Sequence, residues 1–141
     1  MNKLSPSVIF GKNHTYDLGE LEFYNDFDMY SIKPVYFSTH SDTEIVRACQ
    51  GHKIESDWFR CIKGIFNVKL VEIVNWENLT ENLKVFEYKL TAEKHEILYI
   101  AIGFKVIIVD SKLMIMSNFG FNEIINDQIR FCENKWTKWG N

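Results

Sequence analysis

The chain predicts an all-β fold of antiparallel strands, a jelly roll or barrel, on three observations. Phe, Tyr and Trp make up 15% of its 141 residues, and large flat side chains suit sheet surfaces. Apolar residues alternate with polar ones at a period of two in several short runs. Between those runs there is no segment long enough for a crossover helix, which a parallel βαβ sheet requires.

The first strand-like run is 35–38, followed by 58–62. The alternation is clearest over 65–71, where Phe66, Val68 and Leu70 share one face while Asn67 and Lys69 take the other. Phe86, Tyr88 and Leu90 repeat the pattern against Glu87 and Lys89. Further runs occupy 97–100, 105–109 and 113–117. Two short helical candidates remain, 76–82 with Asn75 as a cap and the stretch 122–126, both short enough to be turns.

Length admits one domain, 1–141, with a single core. Only 2 Pro and 7 Gly punctuate the chain, and no linker or repeat divides it. Lys and Arg number 16 against 19 Asp and Glu, a net charge of −3, so no positive field is available to hold a phosphate backbone and nucleic acid is not an expected partner. Gly11, Lys12, Asn13 and His14 interrupt the N-terminal region before any apolar run reaches secretory or membrane-spanning length. A cytoplasmic protein with no membrane partner is expected. Cys49, Cys61 and Cys132 are odd in number and lack the pair spacing of a metal site, which predicts reduced thiols packed as small apolar groups.

Two segments carry chemistry: Arg47-Ala48-Cys49-Gln50-Gly51-His52-Lys53 followed by Gly64, and Leu98-Tyr99-Ile100-Ala101-Ile102-Gly103-Phe104. In order and spacing the first resembles the Arg-Gly-x-His-x-His-Lys…Gly segment of cupin-fold ketoisomerases that act on nucleotide-linked 4-keto-6-deoxy sugars. The second is similar to the x-x-Ile-Pro-x-Gly-Phe segment of the related 3,5-epimerases, and Leu90-Thr91-Ala92-Glu93-Lys94 resembles their Leu-Ser-x-Glu-Asn. The resemblance spans roughly residues 35–126. It implies a cupin jelly roll, also described as a double-stranded β-helix barrel, a nucleotide-sugar ligand, and a homodimer in which an early strand crosses to the neighbour.

The departures bear on activity. Gln50 stands where the first motif histidine would remove a proton beside the sugar ketone, and an amide has no titratable proton in the working range. Val106 stands in place of the later histidine, Ala101 in place of the proline before it, and the position of the epimerases' tyrosine acid falls near Met114. What persists is His52, a single base able to move one proton between adjacent carbons, as shifting a keto group from C4 to C3 demands. The resemblance also gives Arg47 as the anchor for phosphate or keto oxygen and Gln50 as a hydrogen-bonding orienter. Arg60 on the next strand offers a second anion contact, and Lys105 a new positive charge.

Each has a structural reading beside the functional one. His52 next to Lys53 fits a strand-edge histidine, Arg47 fits a surface pair with Glu44, Arg60 fits a pair with Asp57 or Glu55, and Lys105 fits a solvated edge. Metal-binding barrels of this type converge two histidines, a carboxylate and a later histidine on one ion. The corresponding positions here hold Gln50, His52, Ser56 or Asp57, and Val106, while His14, His40 and His95 are scattered. No metal and no cofactor are expected. Nothing marks Cys49 as an activated nucleophile. The tail with Trp136 and Trp139 reads as a docking segment, because large aromatics are costly to leave in water.

Two functions of different class follow. One is isomerisation or epimerisation of a nucleotide-linked 4-keto-6-deoxyhexose in surface-polysaccharide synthesis, with His52 as proton carrier. The other is a cupin that retains the sugar-nucleotide pocket, or binds a protein partner, without chemistry.

Overall fold

A computed structural model describes residues 5–39, 46–77, 84–101, 103–109, 112–120, 122–123 and 128–130; within these, residues 46–50, 104–109 and 128–130 are described by their backbone alone. Twelve strands are described: β1 Ser7–Phe10, β2 Lys12–Tyr16, β3 Gly19–Phe23, β4 Val35–Thr39, β5 Val46–His52, β6 Asp57–Lys63, β7 Ile65–Glu72, β8 Val85–Thr91, β9 Glu96–Ile100, β10 Phe104–Val109, β11 Lys112–Ser117 and β12 Gln128–Arg130. They form two five-stranded antiparallel sheets and one hairpin. The first sheet runs β1-β9-β6-β11-β4, the second β12-β5-β10-β7-β8, and β2 pairs with β3. This is the expected all-β jelly roll, in which neighbours in a sheet are mostly distant in sequence.

The alternation predicted over 65–71 is observed: Phe66, Val68 and Leu70 are fully buried while Asn67 is exposed. They meet Phe59, Cys61, Leu90, Leu98, Ile100 and Leu113 in one core between the sheets. Each such side chain contributes roughly 1.5–3 kcal/mol by leaving water. Cys61 is a buried thiol outside any disulfide, as its composition reading predicts; the side chain of Cys49 and all of Cys132 lie outside the described residues, as does the Trp136–Trp139 tail.

The two helical candidates are turns where they are described. Glu77 N–H donates to Asn75 Oδ1 at 2.9 Å, the capping role assigned to Asn75, while residues 78–82 lie outside the described set. At 122–123 one helical step follows a turn in which Glu123 N–H donates to the Gly120 carbonyl at 2.9 Å.

Register decides which face each side chain of the first sheet takes. On β6, Asp57, Phe59 and Cys61 pair with Ser117, Ile115 and Leu113 of β11, and this set faces the core. Trp58 and Arg60 take the outer face. There Trp58, with Ile97 and Met116, is covered by Tyr24, Phe27 and Ile32. Glu22 of β3 and Tyr24 just beyond it thus bring the N-terminal hairpin over the outside of the first sheet.

Candidate functional site

The two sequence segments meet. Gly103 N–H donates to the His52 carbonyl at 2.9 Å, and the Gly103 carbonyl accepts from Ile73 N–H at 2.9 Å. Gly103 adopts φ = 83° and Gly64, at the β6–β7 turn, φ = 80°, left-handed conformations that a residue with a Cβ enters only at a cost. Both motif glycines are therefore required by the backbone.

His52 ends β5, Asp57 begins β6 and Ser117 ends β11, so three strand ends converge at one end of the space between the sheets. The turn joining β5 to β6 is pinned there. Ser56 N–H donates to Asn118 Oδ1 at 2.9 Å, and Asn118 N–H returns a bond to the Ser56 carbonyl at 3.3 Å. Held this way, Glu55 presents its carboxylate inward with only 4% of the residue exposed. Its Oε1 accepts from the Ser117 hydroxyl at 2.6 Å, and its Oε2 lies 2.7 Å from His52 Nδ1.

Asp57 is 8% exposed, and no donor among the described residues faces its Oδ1. Burial first, then the Glu55 charge and a hydrogen bond with Glu55, push its carboxyl well above the ordinary range. Two carboxylates can share such a contact only when one of them carries a proton. Tyr36 of β4 belongs to the same end: its phenol donates to the Phe119 carbonyl at 3.4 Å. Burial, with the charges of Glu55 and Asp57, raises that phenol above its ordinary value.

Of the residues selected from sequence, His52 lies in this cluster, its side chain 12% exposed. Arg47 and Gln50 lie on β5 and Lys105 on β10, with side chains outside the described set. Their register is given: Arg47 pairs with Ile108, Gln50 with Val106 and Gly51 with Lys105. Gln50 and Val106, the positions at which the resembled segments carry histidine, are thus direct cross-strand partners.

Arg60 is corrected. Its guanidinium points to the outer face, away from His52, and is 5% exposed. Nε and Nη2 form a fork on the Glu22 carboxylate at 2.7 and 2.8 Å. Nη2 also donates to the Ala92 carbonyl at 3.1 Å, and Nη1 to the carbonyls of Thr91, at 3.3 Å, and Cys61. With its donors taken by the protein, Arg60 is a structural cation rather than an anion-binding one. Arg60, ahead of the Tyr24 hydroxyl and His95, holds the Glu22 carboxyl down to about 2. His95 Nδ1 lies 3.0 Å from Glu22 and its Nε2 3.5 Å from Glu20.

From the sequence Asp57 is only a corresponding metal position or an Arg60 partner and Glu55 only an Arg60 partner, while Ser117 and Tyr36 carry no signal. The pairing of β6 with β11 joins Asp57 to Ser117, 60 residues apart, and β4, which carries Tyr36, is added by pairing with β11; such separations leave no local signal. His52, Glu55 and Asp57 each offer one ligand-type atom, all within 4.8 Å of one another.

No family model matches the chain, and no curated protein is similar to it in sequence. Solved structures do match. QdtA, a sugar 3,4-ketoisomerase from Thermoanaerobacterium thermosaccharolyticum solved with TDP, superposes with a TM-score of 0.69 at 21% identity over 95% of this chain and 93% of that one. WlaRB, a TDP-quinovose 3,4-ketoisomerase from Campylobacter jejuni, gives 0.71 at 16% identity over 94% and 97%. The RmlC epimerase of Mycobacterium tuberculosis gives 0.73 at 12% identity over 95% and 72%. The chain therefore has the cupin fold shared by TDP-sugar 3,4-ketoisomerases and RmlC-type epimerases, the enzymes whose signature segments its sequence resembles.

Proposed function

We propose that the chain is an isomerase of a nucleotide-linked 4-keto-6-deoxyhexose, serving surface-polysaccharide synthesis in the cytoplasm as a homodimer. The observation that carries the reading is the junction of its two signature segments at His52, where Gly103 N–H meets the His52 carbonyl and the imidazole abuts a buried carboxylate. The fold neighbours include QdtA variants solved with TDP-4-keto-6-deoxyglucose and with TDP, which supports a ligand of that class.

In this reading His52 takes the proton from C3 of the 4-keto sugar. The C3–H electrons form the enediolate, the oxygen proton moves from O3 to O4, and His52 returns its proton to C4 to leave a 3-keto product. No oxidant or reductant is consumed, so one base of suitable pKa suffices. Arg47 anchors the diphosphate or keto oxygen, Gln50 orients the sugar by hydrogen bonds, and Lys105 adds positive charge at the next register position.

A second reading, a binding cupin without chemistry, is favoured by one observation. Gln50 and Val106 form a cross-strand pair, so the two positions at which the resembled segments carry histidine lie together and neither holds a base. Incubation with dTDP-4-keto-6-deoxyglucose in deuterated water, followed by NMR, separates the two. Enzyme-dependent deuterium at C3 supports the isomerase; saturable binding without exchange supports the binder.

A further inference from the structure

We infer that His52, Glu55 and Asp57 form a binding site for one first-row divalent cation of the zinc type, and that the ion takes the imidazole lone pair that proton transfer needs. The inhibition rests on the isomerase reading. The site itself does not.

The donor set is one nitrogen and two oxygens. His52, Glu55 and Asp57 each bring one ligand atom to the same place, all three within 4.8 Å of one another. Two ligands on opposite sides of one zinc stand at most about 4.4 Å apart, twice the metal–oxygen bond, so a shift of a few tenths of an ångström closes the set on an ion. The His52 Nδ1–Glu55 Oε2 approach of 2.7 Å opens by a similar amount. A neutral imidazole with two ionised carboxylates carries two negative charges, which one divalent ion balances. Because one donor is imidazole, the hard ions that take oxygen alone are disfavoured.

The observation that points to a ligand is Asp57 Oδ1. Asp57 is 8% exposed, yet this oxygen has no hydrogen-bond partner among the described residues. Buried polar atoms are nearly always satisfied, and buried charges are paired or coordinate metals. Arg60 does not serve Asp57, because it faces the other side of β6 with its fork on Glu22. Without the ion, the proton that Asp57 keeps separates the two carboxylates in its stead.

The ligands are also held. Glu55 Oε1 accepts from the Ser117 hydroxyl at 2.6 Å, and the Ser56–Asn118 bonds pin the turn that carries Glu55. Outer hydrogen bonds of this kind orient a ligating carboxylate. At the two positions where the metal-binding barrels carry further histidines this chain has Gln50 and Val106; Glu55, in the turn, is the donor it adds. Neutral imidazole has one lone pair. An ion on Nδ1 leaves hydrogen on Nε2, and His52 then cannot take a proton from C3.

The test titrates chelator-treated protein with Zn²⁺ alone in a calorimeter. One Zn²⁺ per chain is expected, undisturbed by excess Mg²⁺, with affinity at least about tenfold lower in Asp57→Asn and in His52→Asn. Unchanged affinity in either variant overturns the site. Nitrogen NMR of the ¹⁵N-histidine parent, with His52 assigned through the backbone, decides without any variant's fold. Zinc is expected to move His52 Nδ1 to the metal-bound range and leave hydrogen on Nε2; shifts confined to His14, His40 and His95 overturn the proposal. With dTDP-4-keto-6-deoxyglucose, filling the site is expected to cut exchange at C3 at least about tenfold, and a chelator to restore it. Undiminished exchange with the site filled overturns the inhibition. No exchange with or without zinc would refute the isomerase and leave the cation site standing.

Discussion

Glu55 Oε2 lies 2.7 Å from His52 Nδ1, across the turn between β5 and β6, and the same carboxylate accepts from Ser117 at the end of β11. This contact sets the histidine at the end of β5 beside a buried carboxylate. The buried acids around it also make the site a source of pH-dependent stability.

Asp57 keeps its proton to higher pH in the fold than in the unfolded chain, because burial and then Glu55 disfavour its charge. A raised folded pKa in an acid means that stability falls as pH rises from the ordinary value of 3.8 through the raised one. Asp57→Asn keeps a donor toward Glu55 and removes that titration. Its Tm is predicted to exceed the parent's at about pH 8 and to converge on it near about pH 4, as thermal melts across pH will show.

Glu22 behaves in the opposite sense. Its folded pKa of about 2 lies below the ordinary 4.5, so its contribution is complete above 4.5 and is lost as pH falls toward 2, amounting to at most about 3 kcal/mol. Glu22→Gln also leaves the Arg60 guanidinium buried without its counter-ion, a loss of about 3–5 kcal/mol. Urea unfolding at neutral pH measures it; near pH 2 the variant and parent are predicted to approach each other.

The Gly103 corner tests the backbone argument. Among the described residues a Cβ there meets only the Ile73 carbonyl, at 4.0 Å, so the cost of Gly103→Ala is set by the left-handed φ of 83°. A loss of about 1–2 kcal/mol is predicted, with the Gly103–His52 bond retained in the variant's hydrogen exchange.

Between the sheets, Phe66 is fully buried in the core of Phe59, Leu98 and Leu113. Phe66→Ala is predicted to cost about 3–5 kcal/mol, measured as a lower urea midpoint with little change in m-value.

Much of this arrangement was legible in the sequence, and the limits have a physical form. Phe66, Val68 and Leu70 announced β7 because one face of that strand meets the core and the other meets water. Gly64 and Gly103 were singled out by resemblance, and both adopt a conformation that suits glycine. β2 and β3 were missed because they are exposed through most of their length and carry no alternation. Arg60 was misassigned because its partner Glu22 is 38 residues away. Strand parity alone would have excluded a pair with Asp57: residues 57 and 60 differ by an odd number and face opposite sides of β6. Glu55 carries no such pattern, since it sits in a turn between β5 and β6 and meets Ser117, 62 residues away.

The most direct test is deuterium incorporation from heavy water into dTDP-4-keto-6-deoxyglucose, followed by NMR for the parent and for His52→Asn. The expected result is enzyme-dependent label at C3 with conversion toward a 3-keto product in the parent, and loss of both, on the order of 10²-fold or more, in the variant, which still binds the nucleotide sugar. Tight binding by the parent with no label above the enzyme-free background, or equal labelling by the variant, would contradict it.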